Sequence, residues 1–215
     1  MHGWLADRCK SCTVGAVSTR KIVCAVSLAS FAALAAGFIL ASDVRAGELH
    51  EADLPTEGMA DADRDRAAAF AGEYTYVGGQ KERDGITAAI ETTVASLNPM
   101  VRSMGRKRLE ESNPVPKHMS IELDCDDVTL SIDGDGHRAT LGGPAVKATS
   151  KFGDKIKVSY RMRGDRLTNL IDGVGGDRLN TLRLSEDGKR VTLDVEITSG
   201  HFDVPVEYRL TFKRK

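Results

Sequence analysis

From Lys117 to the end of the chain, hydrophobic positions recur with a period of two. Met119, Ile121, Leu123 and Cys125 alternate with polar residues. Beyond Asp126-Asp127 the phase flips to Val128, Leu130 and Ile132. Two such runs across a two-residue turn predict a hairpin. Turn signals recur at 133–136, 142–144, 153–154, 163–165, 173–177, 186–189 and 199–203. The clearest later strands are 155–162, 178–185, 190–198 and 204–214. In the last two, apolar residues face one way and Thr, Asp, Glu, Arg and Lys the other, as in an antiparallel sheet with one wet face.

Upstream the period changes. Ile86, Ile90, Val94, Leu97, Val101 and Met104 are spaced by four, four, three, four and three, which is one helical face. Asn98-Pro99 can cap and start a helix. The spacing therefore predicts two short helices, 81–97 and 99–111, or one kinked helix. Before them, GEYTYVGG at 72–79 predicts one strand. The sum is one strand, a helical pair and about nine strands in a meander. Short antiparallel strands tend to close and so remove their edges. The expected architecture is mainly β: an antiparallel up-and-down barrel of about ten strands, with a helix-turn-helix lid between strands 1 and 2. Ten strands make a barrel wide enough to hold a cavity.

The N-terminal region follows neither period. An apolar run over 22–41 follows Arg20-Lys21 and precedes Val44-Arg45-Ala46. That order predicts a secretory signal segment over 1–46, cut after Ala46. The alternative is a retained helix tethering the protein to a membrane, since twenty residues can span a bilayer. Cys9, Cys12 and Cys24 leave with the signal, so Cys125 is expected as a buried, inert thiol. Residues 47–69 are acidic and alanine-rich with few bulky apolar side chains, and are read as a flexible acidic spacer. The barrel domain is 70–215, and the protein is placed in the periplasm or outside the cell. Without residues 1–46 the chain keeps 25 basic and 29 acidic residues, a net charge of −4 with histidines neutral. That argues against nucleic acid as a partner.

The order of elements resembles the fatty-acid-binding-protein branch of the calycins. Phe70-Ala71-Gly72-Glu73-Tyr74 is similar to that group's opening F-x-G-x-aromatic, with Tyr74 where Trp is usual. PKHMSIELDCDDVTLSIDG at 116–134 resembles the proline, strand, turn and strand that follow its lid. The resemblance implies a lidded ten-stranded barrel and a lipid-like ligand. It also implies an inward Arg-x-Tyr on the last strand of carboxylate-binding members. Here Tyr208 shares the apolar face and Arg209 faces the other way.

Few constellations carry chemistry. Asp124, Asp126, Asp127, Asp133 and Asp135 lack calcium-loop spacing and read as turn residues. GVGG at 173–176 sits between strands and offers no helix N-terminus to a phosphate. His118, His137 and His201 fall in or beside turns. Neither a metal, a cofactor nor a catalytic set is expected. Extending the strand phases inward selects Tyr160, Arg178, Asn180 and Tyr208 as ligand-binding candidates among apolar walls. The alternative is that these tips bond within a filled core. Arg102, Arg106, Lys107 and Arg108 on the second helix form a solvated face or a contact with an anionic membrane surface. Two functions remain open: an exported carrier or sensor of a small hydrophobic ligand, and a non-enzymatic envelope interaction module with a filled barrel. A catalytic barrel is a distant third.

Overall fold

The computed structural model describes residues 57–215. The apolar run 22–41, the site after Ala46, Cys9, Cys12, Cys24, His50 and the first part of the expected spacer lie outside the described residues. The elements run α1 (Glu57–Ala68), β1 (Gly72–Tyr76), α2 (Gln80–Ser96), α3 (Arg102–Ser112), then β2 (His118–Asp124), β3 (Asp127–Ile132), β4 (Asp135–Thr140), β5 (Val146–Thr149), β6 (Lys155–Arg163), β7 (Arg166–Gly173), β8 (Gly176–Leu184), β9 (Arg190–Thr198) and β10 (Val206–Arg214). All ten strands form one antiparallel sheet in the order β4-β3-β2-β1-β10-β9-β8-β7-β6-β5. Each strand pairs with its sequence neighbour except where β1 pairs with β10 and where β4 and β5 stand unpaired as the two edges. The sheet thus curls into a nearly closed barrel with a helical pair between its first two strands. This is the arrangement that the resemblance implies.

Local chemistry sets the turns. Asp133 and Gly134 both have positive φ, 49° and 86°, the backbone that joins strands without splaying them. Asp133 also accepts backbone N–H bonds from Lys117 and His118, so it ties the strand-2 entry to the β3–β4 turn. Gly176 opens β8 at φ 141°, where a Cβ would lie 2.2 Å from the carbonyl oxygen of Thr198.

Three expectations change. The β2–β3 turn consists of Cys125 and Asp126, since Asp124 pairs with Asp127. Cys125 therefore sits in a turn at φ 55°, half-exposed, and is not a buried strand residue. The second helix starts at Arg102, because Leu97 already turns extended (ψ 154°). The apolar helical face consequently breaks: Ile86, Ile90, Val94 and Leu97 are buried, whereas Val101 and Met104 are exposed. Finally, the expected flexible spacer carries α1 over its described part. Its Ala, Glu and Arg content favours helix, and Arg64–Asp61 and Arg66–Asp63 pair one turn apart. Ala67 and, just beyond, Phe70 are buried against the barrel. Acidity alone hid that docking edge.

Candidate functional site

The barrel has two halves. Outside the cavity, Tyr74, Phe212, Leu167, Leu182 and Val191 are fully buried and fill the space between the strands. Burial of that apolar surface is the main term holding the sheet together. In the half under α2 and α3 lies a cavity of about 870 Å³. Its wall is largely apolar, with Leu109 and Leu97 from the helical side and Leu130, Ile156, Ile171 and Ile197 from the strands.

The lid is held along one side. Glu82 of α2 accepts hydrogen bonds from the backbone and hydroxyl of Thr211 on β10, at 2.9 and 2.7 Å. Thr93 donates to the Pro205 carbonyl 3.1 Å away. Across the mouth, Arg108 of α3 reaches Asp154 at 3.0 Å and lies 4.5 Å over the Phe152 ring. Arg106 makes a two-pronged bond to Glu91 of α2, both arms 2.6 Å. Arg102 donates to the carbonyls of Leu97 and Ala95. Three of the four cations on the helix are therefore spent inside the fold. Lys107 projects, with a side chain 77% exposed and Glu111 at 3.9 Å.

Sheet register assembles the polar interior. Tyr160 on β6 lies opposite Asn169 on β7. Asn169 lies opposite Asn180 on β8. Asn180 faces Val195, and Val195 faces Tyr208 on β10. Inward positions in direct register make one row across five strands. Arg178 stands one inward position nearer the lid.

The candidates then divide. Arg178 donates through Nε to Asn180 Oδ1 (3.0 Å), through Nη1 to Asn113 Oδ1 (3.1 Å) and through Nη2 to the Tyr208 hydroxyl (3.2 Å). Tyr208 in turn donates to Asn113 Oδ1 at 2.9 Å. Asn180 Nδ2 donates to Asn169 Oδ1 at 2.9 Å. Arg178, Asn180 and Tyr160 line the cavity, while Tyr208 is not among its lining residues. Tyr208 holds Arg178 and Asn113 in place, and burial raises its phenol pKa despite the guanidinium beside it. The Arg–Tyr pairing is made between β8 and β10, and Arg209 points outward to Asp194.

Tyr160 has a different task. Its hydroxyl donates to the His137 carbonyl on β4 (2.7 Å) and accepts from the Leu130 amide on β3 (3.0 Å). Its carbonyl accepts from the Gly142 amide at 2.8 Å. It spans the gap left by the unpaired β4 and β5. Burial pushes its pKa up to about 12.

Two members of the cluster escaped the sequence reading. Asn169 lies on a strand whose Leu167-Thr168-Asn169-Leu170 pattern does not alternate cleanly, and Asn113 looked only like a helix stop before Pro114. The amide of Asn169 is 2% exposed and its Nδ2 has no hydrogen-bond partner. Counting acceptors is informative. The side-chain oxygens of Asn113, Asn180, Asn169 and the Tyr208 hydroxyl all receive bonds from within the cluster. The one atom of the cluster that is buried without any partner is a donor, Asn169 Nδ2, and Arg178 makes no ion pair among the described residues. Arg178 is half-buried without a carboxylate beside it, and the buried Asn169 amide without an acceptor is costly. An acceptor-only group entering the cavity relieves both.

No protein-family model matches the chain, and no curated protein does. Solved structures similar to it include the REP1-NXSQ fatty acid transporter (16% identity, 69% of this chain and 97% of that chain, TM-score 0.43). Lipid binding protein 8 of Caenorhabditis elegans is 12% identical over 69% of this chain and 96% of its own, TM-score 0.45. A Schistosoma mansoni fatty acid binding protein in complex with arachidonic acid is 15% identical over 70% of this chain and 98% of its own, TM-score 0.43. At these identities and TM-scores the matches say nothing of what this chain binds.

Proposed function

We propose that this domain binds a small hydrophobic or lipid-like ligand in the lid half of the barrel, and that it does so after export. The observation that carries the reading is the cavity of about 870 Å³, whose largely apolar wall includes Arg178 and Asn169 among its polar groups. The apolar body supplies affinity, at roughly 25 cal/mol per Å² buried before ordering costs. Its acceptor-only end, a carboxylate, sulfonate or carbonyl, meets Asn169 Nδ2 and Arg178. The apolar run 22–41 followed by Val44-Arg45-Ala46 supports export. Mass analysis of the exported protein should find Gly47 first, and an intact 22–41 in the membrane fraction overturns that part.

The ligand test uses two naphthalene probes: anilinonaphthalene sulfonate, whose head only accepts, and N-phenyl-naphthylamine, whose polar group is an amine donor. The sulfonate should saturate the protein and bind at least tenfold tighter. No saturable binding of either probe overturns the ligand reading in favour of a filled interaction module. Equal affinity for both would leave the cavity but refute the donor-only selection.

Loading from an anionic membrane surface is part of the same proposal. Met100 and Met104 are exposed beside the mouth, with Lys107 projecting near them. Basic and apolar side chains together favour such surfaces. Sedimentation with phosphatidylglycerol vesicles should fall when Met104→Ser and Lys107→Gln are combined, and unchanged sedimentation refutes the contact.

A further inference from the structure

The outer face of the barrel carries a second site. Outward positions on β6, β7 and β8 alternate with the cavity wall. Arg163 lies directly opposite Arg166, and Arg166 directly opposite Arg183. Strands stand about 4.8 Å apart, so three arginines form a line about 10 Å long. Arg161 is the next outward residue on β6, about 6.6 Å along the strand. All four sit toward the end of the barrel opposite the lid.

Like charges directly opposite each other destabilise a sheet, and among the described residues the row has one weak ion pair to offset it. Among the described residues Arg161, Arg163 and Arg183 make no ion pair. Arg166 meets only Asp165, at 3.9 Å and itself 81% exposed. Nε of Arg183 is shielded from solvent without a hydrogen-bond partner. The nearest acid along the Arg161 row is Asp194, which is held by Arg209. In the adjoining turn Asp187 is held by the Ser185 hydroxyl and the Lys189 amide. The remaining outward neighbours in these rows are Thr168, whose hydroxyl donates to the Arg161 carbonyl, Thr181 and Thr192. A protein of net charge −1 thus concentrates four guanidinium groups on one small area, three of them without an ion pair among the described residues. Broken local rules of this kind mark functional places.

We propose that Arg161, Arg163, Arg166 and Arg183 bind a soluble oxyanion carrying two or more closely spaced phosphate groups. The planar fork of arginine matches phosphate oxygens two at a time. A single phosphate would satisfy two of the guanidinium groups, and a line of three with a fourth beside it fits a short polyphosphate or a diphosphate-bearing molecule. A bilayer is disfavoured as the source, because the three most exposed apolar residues, Met100, Met104 and Val174, lie at the lid end. The site does not depend on the cavity ligand.

The test is calorimetric titration of the full-length chain with tripolyphosphate at low salt. Saturable binding is expected, and it should weaken steeply as salt is raised. The double variant Arg163→Gln, Arg166→Gln should bind at least tenfold more weakly while melting no lower than the native protein. Arg209→Gln, which removes an exposed arginine elsewhere, should leave affinity unchanged. Absence of saturation, equal loss in Arg209→Gln, or unchanged affinity in the double variant overturns the site. If tripolyphosphate fails while phosphatidylglycerol vesicles bind and lose binding in the double variant, the phosphates belong to a membrane and the soluble oxyanion is wrong. The naphthalene probes should bind the double variant as they bind the native protein, so failure here and failure of the cavity reading remain distinct.

Discussion

Strands β6 to β8 carry a polar row on each face, and the two rows are held in opposite ways. Inside, Tyr160, Asn169 and Asn180 stand in register, and each bonds to another element or to its neighbour. Outside, Arg163, Arg166 and Arg183 stand in the same direct register and repel one another. Burial explains the difference. An inward polar group that lacks a partner costs the fold 1–3 kcal/mol or so, so the inner row is knitted together. An outward charge keeps its water, and repulsion across an exposed ladder costs only a fraction of that. The inner row therefore reports on how the barrel stands, and the outer row on what the barrel meets.

Four measurements would break or sharpen this contrast. The largest effect is expected from Tyr160. Its hydroxyl serves one amide and one carbonyl, so Tyr160→Phe should lose about 2 kcal/mol of unfolding free energy in a urea titration. A loss below about 0.5 kcal/mol would mean that the hydroxyl is not a structural bond.

The same group should make the fold alkali-sensitive. Its pKa is about 12 when folded and about 10 in an unfolded chain. Below pH 10 both states hold the proton and the contribution is complete. Between pH 10 and 12 only the folded state holds it, so stability falls as pH rises, by about 2 kcal/mol in all. Melting followed across that window should show the fall in the native protein and a smaller one in Tyr160→Phe.

Arg178 comes third, and it separates holding from binding. Arg178→Met removes the inward cation, and anilinonaphthalene sulfonate should then bind about tenfold more weakly, or about 1.4 kcal/mol. Binding of N-phenyl-naphthylamine should change little. Equal losses for both probes would make Arg178 a wall residue only.

The smallest effect lies outside. Arg166→Gln should raise stability by about 0.3 kcal/mol at low salt, and the gain should vanish in 1 M salt, where charges are screened beyond about 3 Å. A loss at low salt would show that the outer row is not in conflict with itself.

The sequence made the strand phases legible because apolar residues on β9 and β10 alternate without a break. Those phases alone place Tyr160, Arg178, Asn180 and Tyr208 inside the barrel. Roles were harder to see. Whether an inward tyrosine faces a ligand or bonds to a distant strand depends on curvature, which no periodicity encodes. Tyr160 meets β3 and β4 thirty and twenty-three residues away in sequence. Asn169 was recoverable in principle: a tight turn at Gly164-Asp165 puts it opposite Tyr160, and a turn at Val174-Gly175 puts it opposite Asn180. Its own strand alternates poorly, and the hairpin register was the stronger signal. The lid was legible as two helices but not in its bend, since Val101 and Met104 continue the apolar spacing of α2 while the backbone turns away after Leu97.

A sheet closed by ladders all round has no preferred place to part. This barrel has one. Along most of its circumference neighbouring strands share a run of backbone bonds, so opening there means breaking many at once. Between β4 and β5 the wall is joined by the Tyr160 hydroxyl and by the short contact of Leu141 and Gly142 with the Tyr160 backbone. Local unfolding follows the path that exposes least, and that path runs down this seam. Backbone amides of β4 and β5 should accordingly exchange with solvent sooner than those of β8 and β9. The protein's slow breathing is then governed at one seam, where a single phenol and a short stretch of backbone do the work that whole ladders do elsewhere.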